Sequence, residues 1–178
     1  MKAIIKAVYK VAKAQNQKAY LVGGCVRDLV LMRRIVDFDV AVSTYLDAGA
    51  VEFAKQLAQL LSGAFVLLDA DTQTCRVVVK TQHAVPLHID IAPLRANISN
   101  DLKLRDFTIN ALAVELMSPE LPIHDIVNKL IDPLGGLADL HAGLIKIAYE
   151  RAFIDDPLRL LRAFRLAASL GFNIADST

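Results

Sequence analysis

Three things are scarce in this chain, and each closes off a class of protein. Positive charge is not in excess: among 178 residues, 20 Lys and Arg face 19 Asp and Glu, a formal net charge of +1. Overall charge therefore gives no argument for a nucleic-acid binder, and any such partner has to be read from the local placement of charge. Cysteine occurs only at Cys25 and Cys75, far apart and without zinc spacing. Two such thiols fit a reduced, intracellular protein better than a disulfide framework. A long apolar run is missing from the N-terminus, where MKAIIKAVYKVAKAQNQ carries a charge every few residues. It reads as neither a signal peptide nor a membrane span, so a cytoplasmic protein with no membrane partner is expected. No internal repeat or low-complexity tract occurs. His83, His88, His124 and His141 have no ligand spacing, and no chemistry is assigned to them.

What is present is enough apolar material for a core: 54% hydrophobic against 22% charged residues. Ile4, Ala7, Val8, Val11 and Ala12 recur at helical spacing. AYLV, closed by Gly23-Gly24, suits a buried strand, and a helix from about Val26 to Met32 follows it. A further strand carries Asp37 and Asp39, and AGAVEFAKQLAQLLSG reads as a helix stopped by Gly63. AFVLLD and CRVVVKT flank a turn and read as a hairpin. PLHIDIA alternates as a strand. NDLKLRDFTINALAVEL opens with a turn or short helix and ends as an apolar strand containing Asn110. IDPLGGLADLHAG has the Pro and Gly density of a connector. Pro157 to Leu170 is helical, with Gly171 after it. Helices alternating with strands, interrupted by a hairpin, predict an α/β (α+β) fold with a mixed sheet. The chain ends as a helical layer begins, which is the pattern of a fragment.

Four constellations carry possible chemistry. Asp37 and Asp39 alternate with Val36, Phe38 and Val40, so both carboxylates share one face of a strand. An isolated Asp-x-Asp usually faces water. Here, two neighbouring acids in an apolar run repel each other unless a cation joins them, and hard carboxylate oxygens suit Mg²⁺. Asp90 interrupts another alternating strand and could converge on them. Gly23 and Gly24 would let a phosphate approach the backbone, and Arg27 would add a forked donor. A tight turn with a surface arginine is the plainer alternative. Arg105 and Asp106 in LRDFTINALA read, taken alone, as an ion pair at an element boundary, with Asn110 bonded to backbone. In DDPLRLLRAFR, Asp156 is a natural helix cap. Arg159, Arg162 and Arg165 step by three along one side of the helix. An Asp acceptor beside an Arg donor would match the edges of cytosine and adenine, whereas guanine and uracil offer the opposite order. The glycines lack the G-x-G-x-x-G spacing of a dinucleotide-binding fold.

Together, YLVGGCVRD, DFDVAV, LRDFTINALA, DPLGGLADL and DDPLRLLRAFRLAASLGF resemble, in order, the class II tRNA nucleotidyltransferase and poly(A) polymerase family. That family belongs to the polymerase-β-like nucleotidyltransferases. The resemblance spans residues 19 to 172. It implies a catalytic head, over residues 1–143, followed by the start of a helical neck, over residues 144–178. It further implies Asp37 and Asp39 as Mg²⁺ ligands of a two-ion site, with Asp90 as the third acid. Gly23, Gly24 and Arg27 become triphosphate contacts, Arg105 a nucleotide-binding arginine and Asp106 a ribose contact. Asp156, Arg159, Arg162 and Arg165 would template the incoming base. The expected reaction transfers CMP or AMP from CTP or ATP to an RNA 3′ end, most simply tRNA, held mainly by regions outside this chain. Poly(A) synthesis, A-only or CC-only addition, and a nucleotide-binding module without turnover are the alternatives. Two departures stand out. Asp155 replaces the usual Glu, and only APLRANISN separates the Asp90 strand from DLKLRDFT, where relatives carry a longer loop.

Overall fold

The computed structural model describes residues 1–43, 49–81, 85–120 and 126–178. His83 and His124 lie outside them. Helix α1 (Lys2–Ala14) buries Ile4, Ile5, Ala7, Val8, Val11 and Ala12, the periodic apolar set of the sequence. Strand β1 (Ala19–Val22), helix α2 (Gly24–Val30), strand β2 (Asp37–Val42) and helix α3 (Gly49–Leu60) follow. Next come the hairpin β3 (Ala64–Asp69) and β4 (Thr74–Val79), then β5 (Leu87–Pro93), helix α4 (Ile98–Lys103) and β6 (Ala113–Glu115). Two-residue β7 (Leu130–Ile131) completes a sheet ordered β3-β4-β5-β2-β1-β6-β7. Within this sheet β2 and β5 run parallel while its other described pairs are antiparallel, so it is mixed, as expected.

The two faces of this sheet have different work. Phe38, Val40 and Val42 of β2 share the main core with Ile89 and Ile91 of β5, Val77 of β4, and the apolar sides of α1 and α3. The opposite face carries Tyr20, Val22, Ala41 and Ala113, covered by Leu102 of α4 in a second, smaller cluster. By alternation, Asp37 and Asp39 fall on this second face, beyond the end that α4 covers. The apolar layer behind them gives the acids a rigid floor.

Two stretches differ from the sequence reading. Asn110 sits in a 3₁₀ turn, Thr108–Asn110, rather than in the strand, which begins only at Ala113. The turn lets Asn110 Nδ2 donate back to Asp106 Oδ1 at 3.1 Å, a local side-chain bond that an extended backbone would forfeit. The Pro- and Gly-rich connector contains a helix, α5 (Gly136–Ala142), because the Asp132 carboxylate accepts from the Gly136 and Leu137 amides at 2.8 and 2.9 Å. Gly136 is required for packing, since a Cβ there would fall 2.0 Å from the Thr108 carbonyl oxygen.

The C-terminal segment forms β8 (Leu144–Ile145), α6 (Ala152–Asp155), α7 (Leu158–Leu170) and β9 (Asn173–Ile174), with β8 and β9 paired in parallel. Gly171, with φ +71°, ends α7 in the left-handed conformation. The Thr108 amide donates to the Lys146 carbonyl and the Ala148 amide to the Asp106 carbonyl, which seats this segment against the LRDFTIN stretch.

Candidate active site

The parallel pairing of β2 with β5 sets Asp37 opposite His88 and Asp39 opposite Asp90. Directly opposed residues of paired strands point to the same side, so three carboxylates and an imidazole occupy one small patch. Their surroundings differ sharply. Asp37 is more than half exposed and lies 3.5 Å from His88 Nδ1. Asp90 is held by Arg76 of β4, whose Nε and Nη2 donate to its two oxygens at 2.6 and 2.8 Å. Asp39 is half-buried and has no close donor: among the described residues its carboxylate accepts no hydrogen bond. Burial pushes its pKa up, the charges of Asp90 and Asp37 push the same way, and Arg105 and Arg162 oppose them from a distance. Behind it, burial and then the Asp39 charge push the Cys25 thiol up to about 12. That thiol is spent on packing, donating to the Val22 carbonyl at 3.1 Å.

Gly23 forms the wall next to Asp39. Its φ of +70° favours glycine, and a Cβ there would stand 2.9 Å from Arg105 Nη1 and 3.4 Å from Asp39 Oδ2. Glycine thus keeps open the space between a guanidinium and an unpaired carboxylate. Arg105 is anchored from behind, its Nε and Nη2 donating to the buried Asp101 at 3.2 and 3.0 Å, and Nη1 is turned toward that space. Arg27 folds back over Gly24, its nearest nitrogen 3.5 Å from where a Cβ would be. It donates to Asp28 at 3.0 and 2.9 Å and to Asn110 Oδ1 at 2.7 Å.

A cleft of about 330 Å³ opens beside this patch, lined among others by Arg105, Asp106, Asp156, Arg159 and Arg162. Asp106 is buried and fully employed. Its Oδ1 accepts from the Phe107 amide and Asn110, and its Oδ2 accepts from Arg162 Nε and Nη2 at 2.8 and 2.6 Å. Asp156 accepts from the Leu158 amide at 3.0 Å, the capping role its position suggested. Arg159 lies 3.7 Å from Asp156, stacks over Tyr149 with 5.6 Å to the ring centroid, and donates to that hydroxyl at 2.9 Å. Arg165 is exposed and does not line the cleft.

Residues 19–146 match the family model described as the poly A polymerase head domain. The chain belongs to that family. A CC-adding tRNA nucleotidyltransferase of Geobacter sulfurreducens is 42% identical over 161 residues, covering 90% of this chain and 34% of that protein. An A-adding tRNA nucleotidyltransferase of Aquifex aeolicus is 33% identical, covering 90% of this chain and 19% of its own length. Among solved structures, a Thermotoga maritima CCA-adding enzyme complexed with tRNA aligns with a TM-score of 0.78 at 36% identity, over 97% of this chain and 38% of that one. A CCA-adding enzyme in complex with CTP aligns with the same TM-score at 35% identity, over 97% and 38% of the two chains. The chain spans about a third of the length of the G. sulfurreducens relative.

Set out on this head-domain frame, the structure brings together most of the residues singled out in the sequence. Asp37, Asp39 and Asp90 share a face, Gly23 and Arg105 border it, and Asp106, Asp156, Arg159 and Arg162 share the cleft. Three residues that hold the others in place escaped sequence reasoning. Arg76 had a usable signal, since it interrupts an apolar strand at the position opposite Asp90. Asp101 lies four residues before Arg105, a helical pairing distance. Tyr149 gave no signal at all.

Among the described residues, no group of three or more His, Cys, Asp or Glu is gathered as a ready metal cage. The donor chemistry nevertheless suits Mg²⁺, which is commonly bound through one or two carboxylates completed by substrate phosphates and water. Asp37 and Asp39 are the carboxylates of the patch that no arginine holds.

Proposed function

We infer that this chain is the nucleotidyltransferase head and the start of the neck of an enzyme that adds CMP or AMP to the 3′ end of an RNA, with tRNA the favoured acceptor. On this reading residues 1–143 form the head and residues 144–178 begin the neck. The observation that carries it is the unpaired, half-buried Asp39 beside Asp37, facing the glycine-walled space under Arg105. A carboxylate with a raised pKa and no donor is a cost to the fold that a bound cation would remove. Mg²⁺ ions bound there would lower the pKa of the attacking 3′-hydroxyl and stabilise charge on the departing phosphates.

The chain's own groups supply the rest. Asp37 and Asp39 hold the cations, and Asp90 lies alongside as the third acid. Gly23 and Gly24 leave room for the triphosphate, Arg27 and Arg105 donate to its oxygens, and Asp106 meets the ribose. Asp156 and Arg159 present an acceptor and a donor in the cleft, the order that cytosine and adenine complement. Arg162 holds Asp106 in register with them. The relatives named as CC-adding, A-adding and CCA-adding enzymes favour tRNA end maturation over poly(A) synthesis.

The direct test is incubation with Mg²⁺, labelled CTP or ATP and tRNA lacking its CCA end. Incorporation is expected, and Asp39→Ala is expected to reduce it by roughly a thousand-fold, the several kcal/mol a metal contributes to phosphoryl transfer. Undiminished incorporation by a folded Asp39→Ala protein would remove the metal assignment. Nucleotide binding without any incorporation would leave a binding module.

A further inference from the structure

We propose that Arg76 is the ligand for the last phosphodiester of the RNA acceptor, and that Asp90 stores it there until the acceptor arrives. The inference rests on the nucleotidyltransferase reading and extends it to the side from which the second substrate enters.

The argument begins with strand order. Across the open face, β4, β5, β2 and β1 lie side by side and contribute Arg76, Asp90, Asp39 and, just past β1, Gly23. The triphosphate contacts are all at the β1 end: Gly23, Gly24, Arg27 and the Arg105 nitrogen turned toward Gly23. In phosphoryl transfer the attacking and leaving oxygens are roughly in line. If pyrophosphate departs toward β1, the attacking 3′-hydroxyl must come from β5 and β4. Neighbouring strands are about 4.8 Å apart, so Arg76 stands about two strand spacings, roughly 10 Å, from the Asp39 row. That distance is within reach of one nucleotide and an arginine side chain.

Charge supports the same direction. An RNA end arriving from that side meets Asp37, Asp39 and Asp90 and would be repelled by them. Arg76 lies on the outer flank of Asp90, about one-third exposed, with both of its bonded nitrogens on that carboxylate. The forked geometry that fits two carboxylate oxygens also fits two phosphate oxygens. Exchanging Asp90 for a phosphodiester would keep Arg76 paired and leave the Asp90 oxygens free beside the incoming hydroxyl. The purely structural alternative, a cross-strand pair bracing β4 against β5, predicts no dependence on the charge of the RNA.

That difference gives the test. A tRNA-end minihelix is made with an ordinary linkage or an uncharged methylphosphonate at its last phosphodiester, and its binding to the chain is measured with CTP and Mg²⁺. The expected result is that the methylphosphonate weakens binding by about tenfold in the unsubstituted chain but changes it less than twofold in Arg76→Ala. Arg76→Lys, which keeps the charge, should retain part of the discrimination. Arg76→Ala should also reduce the slope of log affinity against log salt by about 0.7, one single-strand phosphate contact. Equal sensitivity to the methylphosphonate in the unsubstituted and Arg76→Ala proteins would overturn the assignment and leave the nucleotidyltransferase reading intact. Failure of the unsubstituted chain to bind CTP with Mg²⁺ would instead remove the nucleotidyltransferase reading on which the assignment rests.

Discussion

The patch on β2 and the cleft under α7 are built from the same residue types, yet they are held in opposite ways. In the cleft every acid has a donor: Asp106 accepts four hydrogen bonds, Asp101 holds Arg105, and Asp156 caps a helix. On the patch, Asp39 has none, and its neighbours add repulsion to the burial that already disfavours its charge. The cleft is therefore stable as it stands, and a nucleotide group that takes Asp106 as its acceptor has to displace a donor already there. The patch is strained without a ligand and gains when one binds. The base site is a closed latch; the metal site is an open demand.

The contrast breaks most visibly if the latch is cut. Arg162→Ala removes two short bonds from the buried Asp106 and leaves that carboxylate with only the Phe107 amide and Asn110. Losing one partner of a fully buried pair costs about 3–5 kcal/mol. Arg162 is about half exposed, so solvent screening brings the expected loss nearer 2 kcal/mol. For a chain of this length that is a fall in Tm of roughly 4–8 °C, measurable by calorimetry. No change in Tm would mean that the cleft is not self-sufficient and the contrast fails.

Cutting into the patch should do the reverse. Asp39→Asn removes a charge that the fold disfavours, so without divalent cations Tm should rise, by a few degrees. The pH dependence carries the sign. Because the folded pKa of Asp39 is raised, the folded chain binds the extra proton more tightly than the unfolded one. Stability from this group is fully present below the unfolded value of about 3.9 and is lost as pH rises through the folded pKa. The advantage of Asp39→Asn over the unsubstituted protein should therefore be small near pH 4 and grow toward neutrality. Mg²⁺ should then close the gap by stabilising the unsubstituted chain alone. A variant less stable than its parent at neutral pH would show that Arg105 outweighs burial at this position.

Much of both regions was legible before any coordinates, for reasons that can be named. The Asp37/Asp39 face follows from the two-residue period of a strand, which no tertiary contact can alter without breaking the ladder. The sheet pairing of Asp39 with Asp90 was only a convergence in the sequence, because register between strands some fifty residues apart is set by tertiary packing. The partners of the acids were less legible still. Arg76 and Asp101 could have been read from spacing once their strand and helix were known, whereas Tyr149 meets Arg159 only because the backbone turns between them. Asn110 was misread as a strand residue because its apolar neighbours suggested one, and the 3₁₀ turn exists to satisfy its amide. Composition likewise hid α5: prolines and glycines signal a connector, and the single Asp132 carboxylate that caps the helix does not stand out in a linear reading.

The smallest effect tests how sharply the cleft is bounded. Arg159, Arg162 and Arg165 look equivalent in sequence, three arginines at equal steps. Three residues turn a helix by about 300°, so each step falls about 60° short of a full turn, and from Arg159 to Arg165 the side chains swing through about 120°. That is enough to carry the third arginine from the cleft to open solvent, where it is exposed and away from the lining residues. Arg165→Ala should consequently change stability by less than about 0.5 kcal/mol and shift the preference for CTP and ATP over GTP and UTP by less than about twofold. Arg159→Ala should relax that preference by about tenfold, since one lost donor to a base edge is worth about 1–3 kcal/mol. Binding of the four nucleotides to the two variants, side by side, decides it. If Arg165→Ala loosens the choice as much as Arg159→Ala does, the helix must roll toward the cleft when a nucleotide binds, and the latch at Asp106 and Arg162 would be the hinge on which it turns.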